Sequence, residues 1–161
     1  MDISDEQWQT GIDSTLLNIV RMVRLVAPSM AENGWGRIVH VTSLVAREPN
    51  DLLPISSTIR SGIEALTKVQ SNALAKHGIT VNTVQPGHTL TDRQTHLCTI
   101  RAEQNGTSME HEIAMQAKVI PVGRMGKPEE IGAAAAFLCS QQAAFITGTS
   151  VLIDGGMVKG I

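Results

Sequence analysis

The stretch Gly36-Arg37-Ile38-Val39-His40-Val41-Thr42-Ser43 opens on glycine, runs through β-branched residues and closes on two hydroxyls. Asn33-Gly34-Trp35-Gly36 breaks whatever precedes it, and the run is too short for a helix, so Arg37 to Thr42 is predicted to be a buried strand. What lies on either side then decides the architecture.

Upstream, Ser4-Asp5-Glu6-Gln7 has the form of a capping box, which starts a helix near Asp5. Leu16, Leu17, Ile19, Val20, Val23, Leu25 and Val26 are too dense for a surface helix, so a long helix to about Glu32 is expected to be buried on more than one side. Downstream, Pro49 and Pro54 mark a loop, and Ile59, Ile63, Leu66, Val69 and Leu74 recur at helical spacing between Ile55 and Lys76. The Ser, Ala and Gly residues between them suggest close helix contact. Gly78 closes this helix, Ile79 to Val84 reads as a second buried strand, and Pro86-Gly87 turns the chain. Residues 88–118 are polar and proline-free and read as a mobile loop with one or two short helices. Pro128-Glu129-Glu130 starts a helix that runs to about Ser140, and Ser150 to Ile153 forms a third strand ended by Asp154-Gly155-Gly156. Helices alternating with apolar strands predict one α/β domain over residues 1–161, with three layers and a small parallel sheet of about three strands.

The 161 residues are 42% hydrophobic and 17% charged, ordinary values for a globular chain able to bury a core. Aromatic residues make up only 2% and tyrosine is absent, so the core rests on aliphatic side chains and no phenolic acid is available. The formal charge of −2 and the scattered basic residues speak against nucleic acid or an acidic membrane as partner. Cys98 and Cys139 have no C-x-x-C spacing and are expected to be reduced, one in a loop and one buried. His40, His77, His88, His96 and His111 show no metal-ligand spacing, so no metal site is expected. The N-terminus lacks the order of an export signal and no apolar run reaches membrane length, which makes a cytoplasmic location the default.

Ordered segments along nearly the whole chain carry a resemblance. They are Trp8 with Pro28-Ser29-Met30, Gly36 to Val39 leading to Thr42-Ser43, Gly78 to Gly87, Gly123-Arg124-Met125-Gly126-Lys127-Pro128-Glu129-Glu130-Ile131, and Phe145 to Gly156. Together they resemble the C-terminal half of a short-chain dehydrogenase/reductase, with 3-oxoacyl-reductase-like character. The resemblance implies part of a Rossmann-type fold, an NAD or NADP cofactor across the C-terminal edge of the sheet, and a small carbonyl or alcohol substrate. It also implies a glycine-rich phosphate turn on the first strand and helix. No such turn is found in the sequence, so the chain is expected to be a single truncated domain without the cofactor-binding N-terminal half.

By the same resemblance, Ser43 stands where the family's serine polarises the substrate carbonyl. Thirteen positions on, Ser56 falls on the family's tyrosine and Arg60 on its lysine, giving Ser-x-x-x-Arg in place of Tyr-x-x-x-Lys. Thr15, seven residues after Trp8, falls on the asparagine of the proton relay. Pro86, Gly87, Thr89 and Thr91 resemble the site for the nicotinamide carboxamide. Serine is a far weaker acid than phenol, and arginine keeps its charge without shedding a proton. The expectation is therefore an oxidoreductase of divergent chemistry. Two other readings stand beside it: a scaffold or assembly protein, and a cofactor-independent hydrolase or lyase using Ser43 with His40 or His88 and Asp92. The edge of the first strand predicts a homo-oligomer or pairing with a separate N-terminal half, and the resemblance implies a third route, a four-helix dimer interface from the helices over 8–31 and 56–76.

Overall fold

The computed structural model describes residues 3–160. Its first helix, α1 (Asp5–Gly11), starts as the capping box requires. The Ser4 hydroxyl accepts from the Gln7 amide at 3.3 Å, and the Gln7 side chain accepts from the Ser4 amide at 3.0 Å. The rod continues through a π-helical segment, Ile12–Leu17, into α2 (Asn18–Glu32). The expectation that this rod is buried on several sides is corrected. Only Val23 reaches the core, with Ile19, Val26 and Met30 packed against the same cluster, while Met22 is 53% and Leu25 74% exposed. One stripe of its later part faces the sheet, and its first turns lie against the helix over Pro54–Leu74, with Gly11 close to Ile55 and Ile59.

Three parallel strands form the sheet in the order β1 (Gly36–Val41), β2 (Ile79–Pro86) and β3 (Ser150–Ile153). Ile38 pairs with Val81, His40 with Thr83, and Thr83 in turn with Ser150. Because side chains alternate along a strand, these residues share one face. Its lower part is apolar: Ile38, Ile79 and Val81 pack against Val23. Its upper part is polar, with His40, Thr42, Thr83 and Gln85 all buried. The 21-residue helix α3 (Pro54–Leu74) lies against that polar part. A short 3₁₀ turn and Gly78, at φ +72°, return the chain to β2.

Residues 88–118 are more ordered than their composition suggests. They hold α4 (Asp92–Asn105) and α5 (Met109–Ala117), capped by the Thr91 and Ser108 hydroxyls and packed on each other. Small side chains allow the contact: Cys98 and Ala102 are buried, and the Gln116 amide donates to Cys98 Sγ at 3.1 Å. The buried cysteine thus lies in the segment read as a loop, while Cys139 is exposed just beyond α6 (Pro128–Leu138). That last helix packs against β1 and β2 and buries Leu138. No helix among the described residues is long and apolar enough to cross a membrane.

Gly87, where β2 ends, donates its amide to the Ile153 carbonyl, and a Cβ there would stand 2.7 Å from Asp154 Cα. Gly87→Ala is expected to lower stability by about 1–3 kcal/mol in urea unfolding. Gly62, inside α3 with open space around it, should respond the opposite way, Gly62→Ala gaining about 1 kcal/mol.

Candidate functional site

Pro54 sets the first turn of α3, where its missing amide hydrogen is no loss, and the N-cap Leu53 offers no side-chain cap. Ser56 therefore lies inside the first turn rather than at the cap. One turn on, Arg60 Nε donates to Ser56 Oγ at 3.1 Å and its Nη1 donates to the Val41 carbonyl at 3.2 Å. The start of α3 is thereby tied to the C-terminal end of β1. Burial draws the Arg60 guanidinium pKa down from its ordinary value.

Ser43 follows Val41 by two residues and caps the 3₁₀ turn Leu44–Ala46, its hydroxyl accepting from the Val45 amide at 3.4 Å. That leaves the hydroxyl proton free to donate. Thr15 belongs to the π-helical segment and lines, with Ser56, Leu53 and Ile59, a pocket of about 340 Å³. Direct bonding thus joins Ser56 to Arg60, and the shared pocket joins Thr15 to Ser56.

Pro86, Gly87, Thr89 and Thr91 occupy the end of β2 and the loop after it, and none of them lines that pocket. Both threonine hydroxyls have local partners: Thr89 donates to the Gly87 carbonyl at 3.1 Å, and Thr91 accepts from the Gln94 amide at 3.3 Å. The triad reading with His40 as the base fails on geometry. His40 is turned under α3, its Nε2 2.9 Å from Gln70 Oε1, and burial holds its pKa down against the opposing pull of Gln70 and Glu64. Ser43 therefore has no hydrogen bond from His40.

Sequence reasoning passed over Glu64. From α3, one carboxylate oxygen accepts the Thr42 hydroxyl at 2.7 Å, and the other accepts the Thr83 hydroxyl at 2.7 Å and the Ser150 hydroxyl. Burial alone pushes this carboxyl up, but hydrogen bonds from Ser150, Thr83, Thr42 and Gln85 outweigh it and hold the pKa below its ordinary 4.5. The signal was present in the strands: polar residues at inward positions need an inward partner.

Comparison with known proteins covers nearly the whole chain. A family profile described as enoyl-(acyl carrier protein) reductase matches residues 1–158. The 3-oxoacyl-(acyl-carrier-protein) reductase FabG of Vibrio cholerae is 34% identical over 157 residues, 98% of this chain and 60% of its own. The acetoacetyl-CoA reductase of Cupriavidus necator is 32% identical over 153 residues, 95% of this chain and 58% of its own. Among solved structures, the L-sorbose reductase of Gluconobacter frateurii complexed with NADPH and L-sorbose is similar at a TM-score of 0.97 and 29% identity. That match covers 100% of this chain and 62% of the reductase. The chain spans about three fifths of the length of the curated relatives it matches.

Since the folded-state pKa of Glu64 lies below its unfolded value, its contribution to stability is fully present above the unfolded value and is lost as pH falls through the folded one. Glu64→Gln should accordingly flatten the acid limb of the stability profile below about pH 4.5, read by urea midpoints at successive pH values. Glu64→Ala, which strands the strand hydroxyls, should cost about 2–3 kcal/mol at neutral pH.

Proposed function

The chain belongs to the short-chain dehydrogenase/reductase family, and from that premise we propose that it carries the carbonyl-binding side of an NAD(P)-dependent oxidoreductase site. One observation supports this reading above the others: Arg60 Nε reaches Ser56 Oγ while Arg60 Nη1 holds the end of β1. The two residues that the resemblance sets at the family's tyrosine and lysine positions are in contact, near the strand ends where open α/β sheets take their ligands.

In this reading Ser43 donates its hydroxyl proton to the substrate oxygen. Arg60 donates into Ser56 Oγ, which leaves the Ser56 proton directed away from the guanidinium and able to stabilise developing negative charge. Ser56 is thus an electrostatic partner rather than an efficient acid, because a hydroxyl far from neutral pKa transfers a proton poorly. A nicotinamide group, when bound, would supply the hydride. Arg60, Thr89, Thr91 and the Gly87 backbone could hold its nicotinamide end. The diphosphate and adenosine fit less well: among the described residues no strand-to-helix turn carries more than one glycine, so no phosphate cradle is built. Residues 1–161 then form a single Rossmann-like unit whose cofactor grip is partial.

The outer edge of β1 has no paired strand among the described residues. This supports association through that edge, with a second copy or with a strand from a separate N-terminal half. A small carbonyl or alcohol compound is the substrate class in either case.

Fluorescence titration with NADPH and with reduced nicotinamide mononucleotide tests the reading. Both should saturate with similar, roughly millimolar affinity, since only the shared nicotinamide end has partners. NADPH binding about a hundredfold tighter would show that the adenosine end is held after all. Absence of binding by either would remove Arg60, Thr89 and Thr91 from the cofactor site.

A further inference from the structure

Two polar side chains with unused hydrogen-bonding capacity lie together at the opposite end of the sheet from Ser43. Arg37 and Thr80 are directly paired in the register of β1 and β2. At about 3.3 Å per strand residue, that end is roughly 20 Å from Ser43. Thr80 is 5% exposed, and its hydroxyl has no hydrogen-bond partner among the described residues. Asn82, on the same face of β2, donates to the Ile146 carbonyl at 2.8 Å, so Thr80 is directed toward the segment that follows α6. A buried hydroxyl without a partner costs stability, which singles this position out.

Arg37 is held in place without being neutralised. Its Nε donates to the Ser140 carbonyl at 3.2 Å, and its Nη1 donates to the Gly36 carbonyl at 2.8 Å and the Gly78 carbonyl at 3.2 Å. The guanidinium also lies over the Trp35 ring, 5.1 Å from its centroid. The two N–H groups of Nη2 have no partner among the described residues, and neither salt bridge there, Arg21–Asp13 or Arg124–Glu130, includes Arg37.

Both residues line one cavity of about 500 Å³, together with Thr147, Ile79, Ala75 and Phe145. Thr147 Oγ1 accepts from the Val81 amide at 3.1 Å, which leaves its own proton to donate. Each polar side chain of the wall is therefore able to donate, and among the described residues no carboxylate lines it. Phe145 is fully exposed, so its ring meets this space without a packing partner.

We propose that this cavity is a second ligand site, for a small aromatic carboxylate. The carboxylate accepts from Arg37 Nη2 and from the Thr80 and Thr147 hydroxyls, and the ring lies on Phe145. One cation with a few donors matches a planar monoanion, whereas a phosphate dianion calls for more positive charge. Because three carbonyls and the Trp35 ring already fix Arg37, binding loses little side-chain freedom. The site uses none of Ser43, Ser56 or Arg60, and its occupant is not the compound transformed there.

The probe is 3-phenylpropionate, titrated into the whole chain and followed by amide chemical shifts and calorimetry. Saturable binding is expected, with shifts centred on Thr80 and residues 144–148. The uncharged 3-phenylpropanol should bind at least about tenfold more weakly. Hexanoate, charged but without a ring, should bind about threefold to tenfold more weakly. Arg37→Gln should lower affinity at least about tenfold. Since Arg37 also ties backbone segments together, two gentler variants carry the decision. Thr80→Val removes a hydroxyl that has no partner in the free protein, so it should fold at least as stably and bind at least about fivefold more weakly. Phe145→Ala alters an exposed side chain and should weaken binding about threefold to tenfold. No saturable binding, 3-phenylpropanol or hexanoate matching the probe, unchanged affinity in Thr80→Val or Phe145→Ala, or shifts centred on Ser43 and Ser56 would each overturn the proposal.

Discussion

One carboxylate holds the upper half of this molecule together. Glu64 reaches down from α3 and accepts hydroxyls from Thr42 just past β1, Thr83 within β2 and Ser150 at the start of β3. A charged group in such a place is tolerable only because donors surround it, and the strand hydroxyls are tolerable only because an acceptor meets them. Neither side of the contact is stable alone. The apolar packing of Val23 on Ile38, Ile79 and Val81 fixes the lower sheet, but it does not determine where α3 sits along the strands. The carboxylate does so together with the Gln70–His40 and Arg60–Val41 contacts, since hydrogen bonds are directional and apolar contact is not.

The position of α3 then determines the site. With Glu64 anchored, Arg60 falls one turn nearer the strand ends and meets the Val41 carbonyl, and Ser56 falls one turn further, at the mouth of the pocket shared with Thr15. Three residues at four-residue intervals thus perform a graded task along one helix face. The deepest is a structural anchor, the middle one bridges helix and strand, and the outermost faces the pocket.

The three strands, the capping box at Ser4 and the return at Gly78 were legible because each follows from local chemistry: β-branched runs, a hydroxyl three residues before Gln7, a glycine able to take φ +72°. The spacing from Ser43 to Ser56 and Arg60 was legible as a resemblance, and the structure brings Ser56 and Arg60 into contact. Glu64 was not, because a glutamate on a helix of alternating apolar and polar residues looks like part of a solvated face, and its three partners are far apart in sequence. The helical pair α4 and α5 was underread for a related reason. Its contact is made by Cys98, Ala102 and a glutamine rather than by a stripe of large apolar side chains. The exposure of Leu25 escaped prediction because hydrophobicity alone does not say which side of a rod has a neighbour.

The π-helical segment Ile12–Leu17 changes what a single rod can do. A wider turn takes in an extra residue, so the helix leaves it out of phase with the way it entered, by roughly the 100° that one residue sweeps in an α-helix. The two halves of the rod can then answer to different neighbours. Before the segment, Gly11 lies close against Ile55 and Ile59 of α3; after it, Val23 points into the sheet. An uninterrupted α-helix would keep a single orientation and could satisfy both partners only by bending. The segment works as a phase shifter, letting one continuous element serve two packing surfaces that are not in line.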